Sequence, residues 1–182
     1  LKHVILTGFM GVGKSAIGKR LARRLGRPFL DTDHMIEKQQ GVAISEIFER
    51  DGEAEFRRIE RELVAALADE EPAVIATGGG TFVDEDNRRR LSEMGVVVCL
   101  MTKFETILER VTRNARRPLA QGDARERLAA LYEQRKPAYG RADILVETDG
   151  LSVDQSASRV LNMIQPHLKD ESEILPGDAG NE

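Results

Sequence analysis

Residues 8 to 15 read Gly8-Phe9-Met10-Gly11-Val12-Gly13-Lys14-Ser15 and satisfy the phosphate-loop pattern G-x-x-x-x-G-K-[ST] at every fixed position. The chemistry this spacing serves is anion binding. Glycines let the backbone curl closely around phosphate oxygens, and the N–H groups that open a following helix, here those of Gly13 to Ala16, have no intrahelical partner. Lys14 is placed to reach the β- and γ-phosphates, and the Ser15 hydroxyl to ligate Mg²⁺. A second set of candidates is Asp31-Thr32-Asp33. Two carboxylates one residue apart in an extended segment point the same way. One suits Mg²⁺ held through water; the other suits the proton of an attacking hydroxyl. A helix cap before Met35 is the plainer reading, but a cap needs a single such residue. A third set, Thr77-Gly78-Gly79-Gly80-Thr81, is expected to offer backbone N–H donors and room for a ligand.

The elements that must position these residues follow from hydrophobic periodicity. Short apolar runs predict strands at Val4–Thr7, Phe29–Asp31, Val74–Thr77, Val96–Met101 and Ile144–Val146. Amphipathic stretches predict helices at Lys14–Leu25, Met35–Gln40, Ile44–Asp51, Glu53–Ala68, Glu85–Glu93, Phe104–Arg113, Ala124–Tyr139 and Val153–His167. Strands alternating with helices give a mostly parallel α/β sheet covered on both faces. In such sheets ligands sit beyond the carboxyl ends of the strands, where all three candidate sets fall. Phe56, Ile59, Leu63 and Leu67 recur every three or four residues and read as packing. Ala76 and Thr77 stand where a Walker-B acid would be, so Asp31 is the nearest carboxylate for metal support. This points toward small-molecule kinases and away from motor ATPases.

Composition narrows the class. The chain has 182 residues, 41% hydrophobic and 32% charged, with a net charge of -4, which disfavours a nucleic-acid-binding surface. The single cysteine, Cys99, lies in the apolar run Val96–Leu100 and reads as a buried small hydrophobe. No stretch has the length and apolarity of a membrane span and no signal peptide is visible, so a cytoplasmic monomer is the expectation. Residues 1–168 read as one kinase domain and the acidic, aperiodic 169–182 as a disordered tail. The basic stretch Arg113–Asp123, broken by Pro118 and Gly122, reads as a mobile loop. Arg57, Arg116, Arg117 and Arg135 are candidate clamps for carboxylate or phosphate, without a motif of their own.

Taken together, Gly8–Ser15, Asp31-Thr32-Asp33, Phe56-Arg57-Arg58-Ile59-Glu60, Gly78-Gly79-Gly80, Arg117-Pro118-Leu119 and Arg135 with Pro137 and Tyr139 resemble shikimate kinase in order and spacing, over about residues 4–165. The resemblance implies a nucleoside-monophosphate-kinase-like P-loop fold with sheet order 2-3-1-4-5. It implies transfer of the γ-phosphate of MgATP to the 3-hydroxyl of shikimate in aromatic amino-acid (chorismate) biosynthesis. It also implies that Asp33, Arg57, Gly79, Gly80 and Arg135 hold shikimate, that Lys14 and Arg117 meet the transferring phosphate, and that Ser15 and Asp31 serve Mg²⁺. Gly11, Val12, Gly13, Lys14, Ser15, Ala16, Arg110 and Arg117 would hold ATP, with Glu147-Thr148-Asp149 framing the adenine side. Residues 35–63 would form the shikimate-binding region and 114–124 the lid. The departures are small: Leu119-Ala120 stands where the family often has two leucines, and Lys136-Pro137-Ala138-Tyr139 varies the segment after Arg135. A gluconate or nucleotide kinase is the nearest alternative. A guanine-nucleotide switch would require an N-K-x-D motif, which the sequence lacks.

Overall fold

A computed structural model describes residues 3–114 and 123–169. Residues 115–122 of the stretch read as a lid, with Arg116, Arg117 and Pro118, and 170–182 of the tail lie outside the described residues, whereas Asn114 belongs to a helix, Asp123 and Ala124 open the next, and Lys169 closes the last. The chain forms β1 (His3–Thr7), α1 (Lys14–Leu25), β2 (Phe29–Asp31), α2 (Thr32–Gln40), α3 (Ile44–Arg50), α4 (Gly52–Ala66), β3 (Val74–Ala76), α5 (Glu85–Met94), β4 (Gly95–Met101), α6 (Phe104–Asn114), α7 (Asp123–Tyr139), β5 (Ile144–Glu147) and α8 (Val153–Lys169). The five strands lie in the order β2-β3-β1-β4-β5 and every pairing is parallel.

Burial explains that order. Every residue of β1 and β3, and all of β4 but Met101, is shut off from water, as the continuous apolar runs require of strands covered on both faces. β5 alternates buried and exposed residues, the pattern of an edge strand with one covered face. Register then sets the site. Leu6 pairs with Ala76, and Ala76 with Asp31, so β1, β2 and β3 end at one level. The segments that follow them, Gly8 onward, Thr32 onward and Thr77 onward, therefore emerge side by side at the carboxyl edge.

Two hydrophobic clusters support this edge. The larger surrounds the sheet and takes in Phe9 and Val12 of the phosphate loop, each 1% exposed. The smaller consists of Ile36, Ile47, Phe56, Ile59 and Leu63 and packs α2, α3 and α4 together. Each fully buried side chain of this size contributes about 1.5–3 kcal/mol. Of the stripe read along α4, Leu67 alone joins the larger cluster.

Besides shifts of one or two residues at other element ends, the elements differ from the sequence reading in three places. Helix α2 begins at Thr32, not Met35, because the Asp31 side chain accepts from the His34 N–H and caps it. Helix α4 stops at Ala66, and Leu67–Asp69 tighten into a 3₁₀ turn. A second 3₁₀ turn, Thr81–Val83, follows the glycines. Among the described residues no helix is long and apolar enough to cross a membrane.

Candidate active site

The phosphate loop is built as its glycines require. Gly8, Gly11 and Gly13 hold φ values of 132°, 78° and 101°, a region that side-chain-bearing residues rarely enter. A Cβ on Gly8 would also lie 2.5 Å from the Leu100 carbonyl oxygen. Lys14 folds back along the loop, donating from Nζ to the Gly8 carbonyl at 2.8 Å and the Phe9 carbonyl at 3.0 Å. Burial lowers its pKa to about 8, against the opposing pull of Asp33 and Asp31. Arg110, reaching across from α6, donates to the carbonyls of Gly11 (3.0 Å) and Val12 (3.4 Å) and so braces the loop from outside.

The aspartates do not lie on one extended segment as read from the sequence. Asp31 ends β2, while Thr32 and Asp33 already belong to the first turn of α2. Their three side chains divide the work. Asp31 caps α2 through one oxygen and accepts from the Ser15 hydroxyl at 2.6 Å through the other. Thr32 is fully buried and accepts from the Gly78 N–H at 2.9 Å, tying α2 to the glycine turn. Asp33 faces Lys14, and its carboxyl is pushed up to about 6 by burial first and by the neighbouring Asp31 second. The cap and the site are thus not alternatives, since Asp31 serves both.

The glycine turn meets the expectation in part: the room is there, but one of the donors is taken. Among Gly78, Gly79 and Gly80 none has positive φ, and the Gly78 N–H is already occupied by Thr32. What these glycines provide is space. A Cβ on Gly78 would stand 2.5 Å from Asp33 Oδ1; one on Gly80 would stand 2.8 Å from both terminal nitrogens of Arg57. Gly79 lies against Met10 of the phosphate loop and near Arg135 Nη1, with a Cβ there reaching 3.4 Å and 3.6 Å from them. The three glycines therefore mark where Asp33, Arg57 and Arg135 close on one turn.

The two arginines are held differently. Arg57 Nη1 donates to Glu60 at 2.8 Å and its Nη2 to Glu53 at 3.2 Å, with the ring of Phe56 5.2 Å away. Glu60, 1% exposed, accepts also from the Thr81 hydroxyl at 2.7 Å. Arg135 has no carboxylate partner among the described residues; it lies over the Phe9 ring at 5.9 Å. Sequence reasoning quoted Glu60 and Tyr139 only as parts of motifs. A charged residue on the buried side of α4 was the signal available for Glu60. Tyr139, whose hydroxyl donates to the Gly79 carbonyl at 2.5 Å, gave none beyond its place in the motif.

An open cavity of about 540 Å³ runs over the phosphate loop and is lined by Gly11 to Ile17, Asp31, Asp33, Gly79, Arg110 and, on the far side, Thr148, Leu151 and Val153. A second hollow of about 480 Å³ contains Arg57, Gly80, Arg135 and Glu53. Of the adenine-side stretch, Thr148 lines the cavity. Asp149 instead accepts from Thr102 (2.8 Å) and Thr106 (2.7 Å) and pairs with Lys103, bracing the loop after β5 against α6. Lys14, Asp31, Asp33, Arg57, Gly79, Gly80, Arg110 and Arg135 line these two hollows, Glu147 and Asp149 line neither, and Arg116 and Arg117 lie outside the described residues.

The arrangement suits a triphosphate on one side and a small anionic polyol on the other, and comparison with known proteins agrees. The family description "Shikimate kinase" matches residues 10–165. A shikimate kinase of Ruegeria pomeroyi is 48% identical over 162 residues, spanning 88% of this chain and 83% of that one. The solved shikimate kinase of Acinetobacter baumannii in complex with shikimate superposes with a TM-score of 0.84 at 38% identity, covering 92% of this chain and 94% of that one. That of Aquifex aeolicus gives a TM-score of 0.82 at 33% identity, over 92% and 98% of the two chains. With its cradle, aspartates, glycine turn and arginines in place, this chain belongs to the shikimate kinase family.

Proposed function

We propose that the protein transfers the γ-phosphate of ATP to the 3-hydroxyl of shikimate, yielding shikimate 3-phosphate and ADP. The observation that carries this reading is the closure of Asp33, Arg57 and Arg135 on one glycine turn that itself rests on the phosphate loop. Shikimate carries one carboxylate and three hydroxyls. Arg135 and Arg57 suit the carboxylate, and Asp33 suits a hydroxyl proton on the side facing Lys14. Phosphoryl transfer demands chiefly alignment and neutralisation of charge. Lys14 supplies a cation beside Asp33, and Arg117 is the second cation we assign to the transferring phosphate.

Mg²⁺ fits the residues present. The Ser15 hydroxyl and the Asp31 carboxylate stand 2.6 Å apart beside the loop, two oxygen donors of the kind a hard cation takes. No group of three or more acidic, His or Cys side chains that could hold a metal occurs among the described residues, in keeping with an ion held largely by water and phosphate oxygens. Bound there, Mg²⁺ would neutralise phosphate charge. Arg110 and the wall of Thr148, Leu151 and Val153 are assigned to the nucleoside end of ATP.

A coupled ADP-release assay tests the reading, with shikimate, gluconate and nucleoside monophosphates each offered as sole acceptor. Turnover with shikimate alone is the expected result; preferential turnover of either other class overturns it.

A further inference from the structure

The glycine turn after β3 is fastened at each end by a buried threonine hydroxyl. At its entry, Thr32 accepts from the Gly78 N–H at 2.9 Å; at its exit, Thr81 donates to Glu60 Oε1 at 2.7 Å. Both threonines are shut off from water, and the Thr81 N–H closes the turn on the Gly78 carbonyl at 3.2 Å. Valine has nearly the outline of threonine but its side chain can neither accept nor donate, so the hydroxyl is what these positions add to packing. Neither threonine lines the two hollows, so each can serve an acceptor only through other groups.

The two ends lead to different groups. Thr32 precedes Asp33 in the first turn of α2. The bare α-carbon of Gly78 is what the Asp33 carboxyl rests against, since a Cβ there would stand 2.5 Å from Oδ1. Gly78 is itself buried. Without the Thr32 oxygen its N–H is left unmet in a dry place, and the turn shifts toward another acceptor. The Asp33 carboxyl then loses its support. At the exit, Glu60 takes the Thr81 hydroxyl on one oxygen and Arg57 Nη1, at 2.8 Å, on the other. The Thr81 hydroxyl therefore fixes the carboxylate that aims Arg57.

We infer that Thr32 and Thr81 are positioning residues that divide the acceptor between them: Thr32 holds Gly78 so that the Asp33 carboxyl meets the acceptor hydroxyl, and Thr81 holds Glu60 so that Arg57 meets the acceptor carboxylate. The inference rests on the roles proposed above for Asp33 and Arg57. Aligning a hydroxyl for attack is felt in the transition state and so in kcat. Gripping a carboxylate that does not react is felt equally before and during the reaction, and so in KM.

The test is steady-state kinetics with shikimate and ATP on Thr32→Val, Thr81→Val and the matching serine variants. Thr32→Val is expected to lower kcat about 10- to 10²-fold, with KM for shikimate and for ATP each changed less than about threefold. Thr81→Val is expected to raise KM for shikimate about fivefold or more, with kcat and KM for ATP changed less than about threefold. Serine keeps the hydroxyl, so Thr32→Ser and Thr81→Ser are expected to recover most of each loss. An unchanged kcat in Thr32→Val, an unchanged KM for shikimate in Thr81→Val, or kcat and KM moving together in either variant overturns the inference. So do serine variants as impaired as the valine ones. Should wild type fail to phosphorylate shikimate, it is the proposed function that falls. Active wild type with indifferent valine variants rejects the threonines alone. If a valine variant does not fold, the alanine variant at that position replaces it, with the same split expected and its absence decisive.

Discussion

The phosphate loop and the acceptor side meet at Gly79, yet they are held there by opposite means. The loop is one continuous segment. Three positive-φ glycines shape it, Phe9 and Val12 root it in the main core, and Lys14 and Arg110 stitch its own carbonyls. Its backbone shape is set within residues 8–15, and the core and Arg110 brace it from outside. The acceptor side draws Asp33 from α2, Arg57 and Glu60 from α4, the glycines from the end of β3, and Arg135 and Tyr139 from α7. It has a small hydrophobic cluster of its own under α2, α3 and α4, separate from the one beneath the sheet. A contiguous site keeps its geometry when one distant residue changes. A site assembled from four elements depends on each bond between them. The acceptor side should therefore be the more easily damaged half, and selectively so.

Asp33→Asn should cause the largest loss. Amide and carboxylate have nearly the same shape, so the glycine turn and α2 should survive, while the group that accepts the hydroxyl proton disappears. A fall in kcat of about 10²–10⁴-fold is expected, with ATP affinity close to wild type by equilibrium titration. Near-normal turnover would remove Asp33 from the chemistry and dissolve the contrast between the two halves. Next comes Arg135→Ala, expected to raise KM for shikimate roughly 10²-fold, since one charged donor pair to the carboxylate is lost. KM for ATP should move by less than about threefold. Parallel losses in both would mean that Arg135 serves the phosphate loop instead.

Gly80→Ala offers a subtler break. The added methyl would sit 2.8 Å from both terminal nitrogens of Arg57, which is already tied to Glu53 and Glu60 and cannot withdraw freely. Gly80 has φ of −101°, so the backbone itself accepts alanine without strain. We expect KM for shikimate to rise about tenfold through displacement of Arg57, at little cost in melting temperature. A large drop in melting temperature with unchanged KM would show that Gly80 is needed for folding and not for room around the acceptor.

These contrasts explain what could be read from residues alone. The loop was legible because its motif is local: its fixed glycines, Lys14 and Ser15 all lie within eight consecutive residues. The strands and their parallel order were legible too, since β1, β3 and β4 are continuous apolar runs and β5 is short. The order β2-β3-β1-β4-β5 came from resemblance and agrees with the structure. Helix α2 was misjudged by three residues because a residue that caps a helix and one that faces a ligand look alike until Ser15 is seen 2.6 Å from Asp31. For the glycines, room for a ligand can be expected from composition, whereas the groups that claim that room, Asp33 and Arg57, are remote in sequence. Glu60 and Tyr139 reach Thr81 and Gly79, 21 and 60 residues away, at separations where periodicity says nothing.

Charge supplies the smallest and most discriminating effect, because Asp33 and Lys14 face each other across the boundary between the halves. Asp33 is pushed up to about 6 and Lys14 down to about 8 in the free enzyme, burial being the first cause of each. Activity needs the Asp33 carboxylate ionised, so kcat/KM for shikimate should lose roughly half its value on moving to pH 6, and about tenfold per pH unit well below it. Stability should run the other way. The folded state holds the Asp33 proton up to about pH 6, while the unfolded chain releases it near 3.8. Between those values the folded state binds more protons, so this group's contribution to stability falls as pH rises through the window and is regained on acidification. Asp31→Asn sharpens the point, since Asp31 is the second cause of the rise in Asp33. A ¹³C titration of the Asp33 carboxyl should then move toward its ordinary value by a fraction of a pH unit, with most of the elevation left. Complete normalisation would assign the elevation to the neighbouring charge, and the boundary between the two halves would be set by the carboxylate pair and not by burial.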